Sequence, residues 1–218
     1  MDPADVARCL GTGVQEWRRL AAHWDALVVD PYAAETGTRR LRRYGHFLLS
    51  SATGAIETMP HDVFVQPQDS NPLYVDVDRR FEPLTEEFRA GPVPAALIRM
   101  LGRVAAGLDD AGEWTVKMHP FRVVARADGE GRPTPEGRHK DGVTLVTSLL
   151  VGRENVTGGR STVYDADGAE LVSVTLDQPG TLLLSDDRAT WHSVSPIRPL
   201  DPARPGHRDV LVTTLAAR

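Results

Sequence analysis

The sequence predicts a mainly β protein with flanking helices, and it favours a sandwich or a barrel. Six short runs of strand-forming residues lie between turns in the C-terminal half, at 114–127, 143–151, 161–164, 171–176, 181–184 and 209–215. Runs of this length and spacing are typical of antiparallel sandwiches and barrels. Two helical patterns come before them along the chain, which makes the overall class α+β.

The N-terminal segment has the spacing of an amphipathic helix over about residues 4–24. Apolar residues recur there every three or four positions, at Val6, Leu10, Val14, Trp17, Leu20 and Trp24. This spacing gives a helix one apolar face, although Gly11 and Gly13 weaken the pattern. A second helix is predicted at 92–108, where Pro92 and Pro94 suit a first turn. We expect this second helix to pack on the outside of a sheet.

Two further strand-like runs, 46–51 and 56–66, lie between the helical patterns. The second ends before a proline, which cannot donate a hydrogen bond within a sheet. A basic stretch, Arg39-Arg40-Leu41-Arg42-Arg43, comes just before them. A cluster of arginines is usually a solvated face. We therefore expect these side chains to be exposed, with anion binding as the alternative.

The composition is that of an ordinary globular protein. A length of 218 residues suits one domain, since sandwiches and barrels commonly reach this size undivided. We expect a helical segment at about 1–30 and a β core at about 45–218. The chain is 41% hydrophobic and 25% charged, with a net charge of −5. This charge favours neither nucleic acid nor an anionic membrane as a partner.

We expect a cytoplasmic protein. No stretch approaches the roughly 18 consecutive apolar residues of a membrane span, and the first residues lack the basic and apolar parts of a signal peptide. Cys9 is the only cysteine, which excludes an intramolecular disulfide and fits a reducing compartment. We expect Cys9 to be a small buried side chain on the first helix. No feature of the sequence indicates an oligomeric state.

Two histidines and an aspartate have the residue types and the order of a metal site. His139 and Asp141 are two residues apart where we expect a strand to begin, so strand geometry would point both side chains to one face. His192 lies 51 residues beyond Asp141. Two histidines and one carboxylate can form a facial triad, which holds Fe(II) and leaves the opposite positions open. Zinc accepts the same ligands, so a zinc hydrolase remains an alternative.

Arg208 follows the second histidine by 16 residues and opens the apolar run at 209–215. Its guanidinium can clamp a carboxylate through paired hydrogen bonds. A non-catalytic jelly-roll module that only binds a metal would have no need of this arginine. The combination therefore favours an enzyme that uses an organic acid together with the metal.

Several motifs, taken in order, resemble one known family. They are Trp24 to Pro31, Arg42-Arg43-Tyr44-Gly45, Gln66 with Asn71-Pro72, Arg80-Phe81-Glu82-Pro83-Leu84, His119-Pro120-Phe121-Arg122, Pro135 through Gly142, Arg153 through Gly159, Asp186-Asp187-Arg188 with His192, and Arg208-Asp209-Val210-Leu211. This pattern is similar to that of the bacterial iron and 2-oxoglutarate dioxygenases that include L-isoleucine dioxygenase and related free amino-acid hydroxylases. The resemblance covers roughly residues 24 to 218.

The resemblance implies a double-stranded β-helix, a cupin-like jelly roll with helices packed outside it. It implies that His139, Asp141 and His192 bind iron and that Arg208 pairs with the distal carboxylate of 2-oxoglutarate. Fe(II), with 2-oxoglutarate and O2 as co-substrates, would hydroxylate an aliphatic C–H of a free L-amino acid or close derivative. Desaturation, cyclisation and sulfoxidation are alternatives. Halogenation is not expected, because related halogenases replace the carboxylate at the position of Asp141.

A free amino acid needs one partner for its carboxylate and one for its ammonium group. Candidates near the predicted site are Arg122, Glu136, Arg138, Asn155, Arg160 and Asp209. Each has a plainer alternative: Asn155 can brace a loop, and Asp209 can orient a neighbouring arginine. Among the remaining histidines, we expect His119 to be a core residue or to lie behind the ligands, and His207 to be peripheral.

Overall fold

The computed structural model describes residues 1–35, 37–60 and 79–218. Within these residues there are five α-helices and thirteen strands. The helices are α1 (Pro3–Leu10), α2 (Val14–Ala22), α3 (Pro31–Glu35), α4 (Glu86–Ala90) and α5 (Pro92–Ala105), with a 3₁₀ turn at His23–Ala26. The strands are β1 (Val28–Val29), β2 (Arg40–Arg42), β3 (Gly45–Ser50), β4 (Ile56–Thr58), β5 (Glu113–Ala125), β6 (Leu145–Glu154), β7 (Val156–Gly158), β8 (Arg160–Tyr164), β9 (Glu170–Thr175), β10 (Leu182–Asp186), β11 (Trp191–Val194), β12 (Ile197–Pro199) and β13 (Gly206–Ala217).

Eight of these strands form one antiparallel sheet, the major sheet. Its order is β1-β2-β5-β13-β6-β10, and β3 lies beside β5 along the same edge as β2, with β4 outside it. A smaller sheet, the minor sheet, has the order β11-β8-β9, and β12 pairs with β7. A cavity of about 490 Å³ is lined by residues of both sheets. The predicted class, mainly β with flanking helices, is confirmed.

The longest strands of the major sheet separate the hydrophobic core from the cavity. Along β5, Trp114, Val116 and Met118 are buried in the core together with residues of α1, α2 and α5. The alternate residues Lys117 and His119 line the cavity. Successive side chains of a strand point to opposite faces, so one strand builds both regions. The helices lie outside the sheet, as predicted for the segment at 92–108.

The prediction of a single helix over 4–24 is wrong in one respect, because this segment forms two helices, α1 and α2. Gly11 ends α1 in a left-handed conformation, with φ of +61°, which glycine adopts without a steric penalty. The side chain of Glu16 accepts a hydrogen bond from the backbone N–H of Gly13 at 3.0 Å and so caps α2. The two glycines that weakened the pattern are therefore the ends of two helices.

Two predictions of burial are wrong. Cys9 is exposed, because only Val6 and Leu10 of α1 are buried in the core. Arg40 and Arg42 are 8% and 3% exposed, although the basic stretch was expected to be solvated. They lie on β2, where alternation turns both inward, whereas Arg39 and Arg43 stay at the surface.

Some predicted boundaries differ from the structure. The second helix ends at Ala105 rather than at 108. The strand expected at 56–66 is observed over Ile56–Thr58, and residues 61–66 lie outside the described residues, as do Gln66 and Asn71-Pro72 of the family pattern. No helix in the described part of the chain has the length and apolar character needed to cross a membrane.

Gly158 at the end of β7 is expected to be essential for packing the β7–β12 pair. Its φ is +78°, and a Cβ there would lie 2.2 Å from the carbonyl oxygen of Pro196. Gly158→Ala should lower the free energy of unfolding by about 2–4 kcal/mol, from left-handed strain and a backbone clash. The control is Gly112→Ala, at an exposed glycine with no neighbour within 4 Å. Chemical denaturation of both variants measures the free energy of unfolding. Equal stabilities of Gly158→Ala and Gly112→Ala would contradict the prediction.

Candidate active site

The two histidines of the predicted metal site are joined through their backbones. The N–H of His139 donates to the carbonyl of His192, and the N–H of His192 donates to the carbonyl of His139, both at 3.0 Å. The strand predicted at 143–151 is observed as β6, Leu145–Glu154, so neither His139 nor Asp141 lies in a strand. The prediction that strand geometry places these two side chains on one face is therefore wrong, and an isolated antiparallel bridge joins His139 to His192.

The three predicted ligands form one cluster. Each offers a ligand atom, and these atoms all lie within 4.8 Å of one another. The Oδ2 of Asp141 is 3.6 Å from the Nε2 of His192. The Nδ1 of His139 lies 3.0 Å from the carbonyl oxygen of Gly137, which can only accept. Nδ1 therefore carries the proton, and the lone pair of Nε2 is available to a metal ion.

The electrostatics of the cluster suit a divalent cation. Burial lowers the pKa of His192 to about 3, with a contribution from nearby His139 and an opposing one from Asp187. The imidazole is therefore neutral at neutral pH, as a ligand must be. Burial raises the pKa of Asp141, while His139 and Lys117 act in the opposite direction. A bound cation would favour the ionised carboxylate.

Arg208 is a buried cation beside the cavity. It is 1% exposed, and its Nε and Nη2 have no hydrogen-bond partner in the parts of the chain that the structure describes. Burial lowers its pKa to about 10, with Arg153 contributing, so the side chain is charged at neutral pH. A buried, unpartnered guanidinium is costly unless an anion pairs with it. The distal carboxylate of 2-oxoglutarate fits this requirement.

The wall formed by β2 and β5 carries further basic residues, which the sequence did not predict as site residues. Arg40 and Arg42 on β2 and Lys117 and His119 on β5 line the cavity, and Arg79 lies beside them in the lining. Burial and the neighbouring cations hold the pKa of His119 well below its usual range, so its imidazole is neutral. The guanidinium of Arg42 lies 3.4 Å from the ring centroid of Phe81, and its Nη2 is 2.6 Å from the Nδ1 of His119. The alternation Arg40-Leu41-Arg42 was the available signal, and it indicates a strand with both arginines on one face.

Among the predicted substrate contacts, Glu136 lies in the cavity wall. Its Oε1 is 3.3 Å from the Nε2 of His139. Arg122 and Asp209 instead pair with each other at 2.7 Å and 2.8 Å. Their strand neighbours Phe121 and Val210 face the cavity, so this pair points to the opposite face of the sheet.

The other three predicted contacts also lie away from the cavity lining of the described residues. Asn155 bonds to the carbonyls of Asp201 and Arg204 and braces that loop. Arg138 is exposed and lies 5.4 Å from the ring centroid of Tyr164. Arg160 is exposed on β8. The structure thus brings together the metal cluster, Arg208 and Glu136, but not these three residues.

An antiparallel double sheet with two histidines, one aspartate and a buried arginine at its cavity defines a class of metal-dependent oxygenases. The profile of the 2OG-Fe dioxygenases matches residues 21–214. The chain belongs to this family. Members use Fe(II), 2-oxoglutarate and O2, and the predicted double-stranded β-helix is confirmed.

Solved structures agree with this assignment. A bsmA homolog from Methylobium petroleophilum PM1 is 39% identical, with a TM-score of 0.90 over 99% of this chain and 86% of that one. IDO from Bacillus thuringiensis is 16% identical, with a TM-score of 0.76 over 94% and 83%. The Fe(II)/α-ketoglutarate-dependent dioxygenase TqaL is 20% identical, with a TM-score of 0.77 over 100% and 81%. The last two likenesses show the fold alone. The chain has no significant match among curated proteins.

Removing any one ligand should weaken metal binding. His139→Ala, Asp141→Ala and His192→Ala should each lower Mn(II) affinity by more than about 100-fold, since losing a partner behind the ligands alone costs 10- to 100-fold. Isothermal titration with Mn(II), which tolerates air better than Fe(II), measures the affinity. His207→Ala is the control, because this histidine pairs with Asp209 outside the cluster. Wild-type affinity in the three ligand variants would exclude this site.

Proposed function

We propose that the protein hydroxylates an aliphatic C–H bond of a free L-amino acid or a close derivative, with release of succinate and CO2. The observation that carries the proposal is the make-up of the cavity. The candidate iron ligands share it with the Glu136 carboxylate and with the cations of Arg42 and Lys117. A free amino acid carries both an ammonium and a carboxylate group, so it needs both kinds of partner.

Different residues of the chain would bind the metal and 2-oxoglutarate. His139, Asp141 and His192 would hold Fe(II) on one side and leave the other side open. Arg208 would pair with the distal carboxylate of 2-oxoglutarate, which gives its unpartnered Nε and Nη2 an acceptor. When bound, iron with 2-oxoglutarate and O2 supplies the oxidising power, and the protein supplies binding, orientation and a dry cavity.

The substrate would lie between Glu136 and the cationic wall. Glu136 would accept hydrogen bonds from the ammonium group of the substrate. Because Glu136 lies beside His139, this contact would keep the amino acid near the iron. Arg42 would bind the carboxylate of the substrate. Its guanidinium is held by Phe81 and by Asp30, whose Oδ2 is 3.8 Å from the Nη1 of Arg42. Two fixed ends orient the side chain of the substrate, which is what selective C–H oxidation requires.

The resemblance of the sequence motifs to those of the amino-acid hydroxylases that include L-isoleucine dioxygenase supports a substrate of this class. The same site chemistry would serve desaturation, cyclisation or sulfoxidation of a biosynthetic intermediate, and product mass separates these outcomes. A cytoplasmic location is part of the proposal, because a single unpaired cysteine suits a reducing compartment.

Succinate release with product mass tests the function. Protein with Fe(II), ascorbate and 2-oxoglutarate in air is given each standard L-amino acid in turn, and His139→Ala is the control. We expect succinate that depends on one or a few amino acids, together with a product one oxygen heavier. Succinate formation that no amino acid or simple derivative increases would contradict the proposed substrate class.

Arg208→Gln should weaken the binding of 2-oxoglutarate specifically. The loss of a buried charge pair costs about 2 kcal/mol or more, or at least about 30-fold in KM for 2-oxoglutarate. Arg208→Lys should recover part of the loss, because lysine restores the charge without the two-pronged geometry. Arg198→Gln, at an exposed arginine paired with Glu130, is the control. An unchanged KM in Arg208→Gln would assign the carboxylate to another cation.

Glu136→Gln should weaken binding of the amino acid but not binding of the metal or of 2-oxoglutarate. Replacing a charged hydrogen bond to an ammonium group should raise the substrate KM by about 10- to 100-fold. The control is Glu130→Gln in the same loop, where the carboxylate pairs with Arg132 and Arg198. If Glu136→Gln instead lowers Mn(II) affinity, Glu136 is a metal ligand and the ammonium partner lies elsewhere.

A further inference from the structure

We infer that Asp187 is the positioning residue of the metal centre, and that its one carboxylate orients both Asp141 and His192. Asp187 is not a member of the three-residue cluster, and it does not line the cavity. The inference rests on the metal-binding part of the proposed function, and it goes beyond that function by naming how two ligands on separate segments of the chain are held together.

The first observation is the set of hydrogen bonds that the Asp187 carboxylate accepts. Its side chain is fully buried. Three consecutive backbone N–H groups donate to it, from Asp141 at 3.0 Å, Gly142 at 2.8 Å and Val143 at 3.1 Å. Successive amides converging on one carboxylate form an anion-binding nest. This nest fixes the backbone that carries the Asp141 ligand, in a segment that belongs to no strand.

The second observation concerns His192. The Oδ1 of Asp187 lies 3.7 Å from the Nδ1 of His192. That Nδ1 is buried and has no hydrogen-bond partner within the described ranges, so a shift of less than about 1 Å would complete a hydrogen bond of ordinary length. A carboxylate next to Nδ1 favours the proton on that nitrogen. The lone pair of Nε2, which faces Asp141, is then available to the metal.

The position of Asp187 is itself fixed by the major sheet. Its backbone N–H donates to the carbonyl of Thr144 at 3.1 Å, just before β6 begins. The side chain is thereby placed between the loop at 139–143 and the strand that carries His192. The adjacent Asp186 has a different environment, because its carboxylate accepts from the backbone N–H and the guanidinium of Arg188 near the surface. Asp186 therefore provides a matched control for a substitution at Asp187.

Asp187→Asn separates a positioning role from a merely structural one. The asparagine has nearly the same shape and keeps one oxygen for the backbone amides, but its NH2 group must face either a backbone N–H or the Nδ1–H of His192. We expect Mn(II) affinity to fall about 10- to 100-fold, with a changed absorption spectrum of the Co(II)-substituted protein. The metal-free variant should still unfold in one cooperative transition, at a lower denaturant midpoint because a buried donor is left without an acceptor. Asp186→Asn should retain wild-type affinity and spectrum.

The histidine tautomer provides a measurement that needs neither a stable Asp187 variant nor turnover. In metal-free wild-type protein with ¹⁵N-labelled histidine, long-range NMR correlations at neutral pH should show His192 protonated at Nδ1, with assignment by His192→Gln. Protonation at Nε2, or an Asp187→Asn variant with wild-type metal affinity and Co(II) spectrum, would overturn the inference. If the wild type binds metal yet forms no succinate with any substrate, the proposed function fails and the role of Asp187 stands.

Discussion

The pairing of β5 with β13 is the constraint on which the rest of the structure depends. The two strands run antiparallel in continuous register from Gly206 opposite Ala125 to Ala217 opposite Trp114. Because side chains alternate along both strands, one face packs against the helices and the other lines the cavity. A shift of one residue would move Arg208 to the core and Leu211 to the cavity. The apolar core therefore holds the register of the site.

The cavity concentrates charge that folding alone does not favour. Arg208 and Arg42 are almost fully buried, and Asp141 shares the cavity with them. Buried charges cost stability unless they are paired. A divalent metal ion would pair with Asp141, and a dicarboxylate would pair with the Nε and Nη2 of Arg208, which have no hydrogen-bond partner among the described residues. Such local destabilisation is common where function requires a preorganised site.

Local sequence signals predicted much of the architecture but missed several residues of the site. Runs of strand-forming residues between turns predicted most strands, and the types and order of His139, Asp141 and His192 predicted a cluster that the structure shows. Strand geometry was nevertheless the wrong reason for that cluster, since a backbone bridge and the Asp187 nest hold it. Arg42 was missed as a site residue because a basic run normally indicates a solvated surface. Asp187 was part of the family pattern, but no role was predicted for it.

The sequence by itself determined the fold class, the metal-binding residue types and the presence of an arginine suited to a dicarboxylate. These depend on periodicity and on chemical type, which are local properties of the chain. Only the tertiary structure decided that Glu136 faces the candidate metal ligands while Arg122 and Asp209 pair on the opposite face of the sheet. It did so because the partner of a polar side chain depends on strand register and on contacts between residues as many as 87 positions apart, which no local pattern contains.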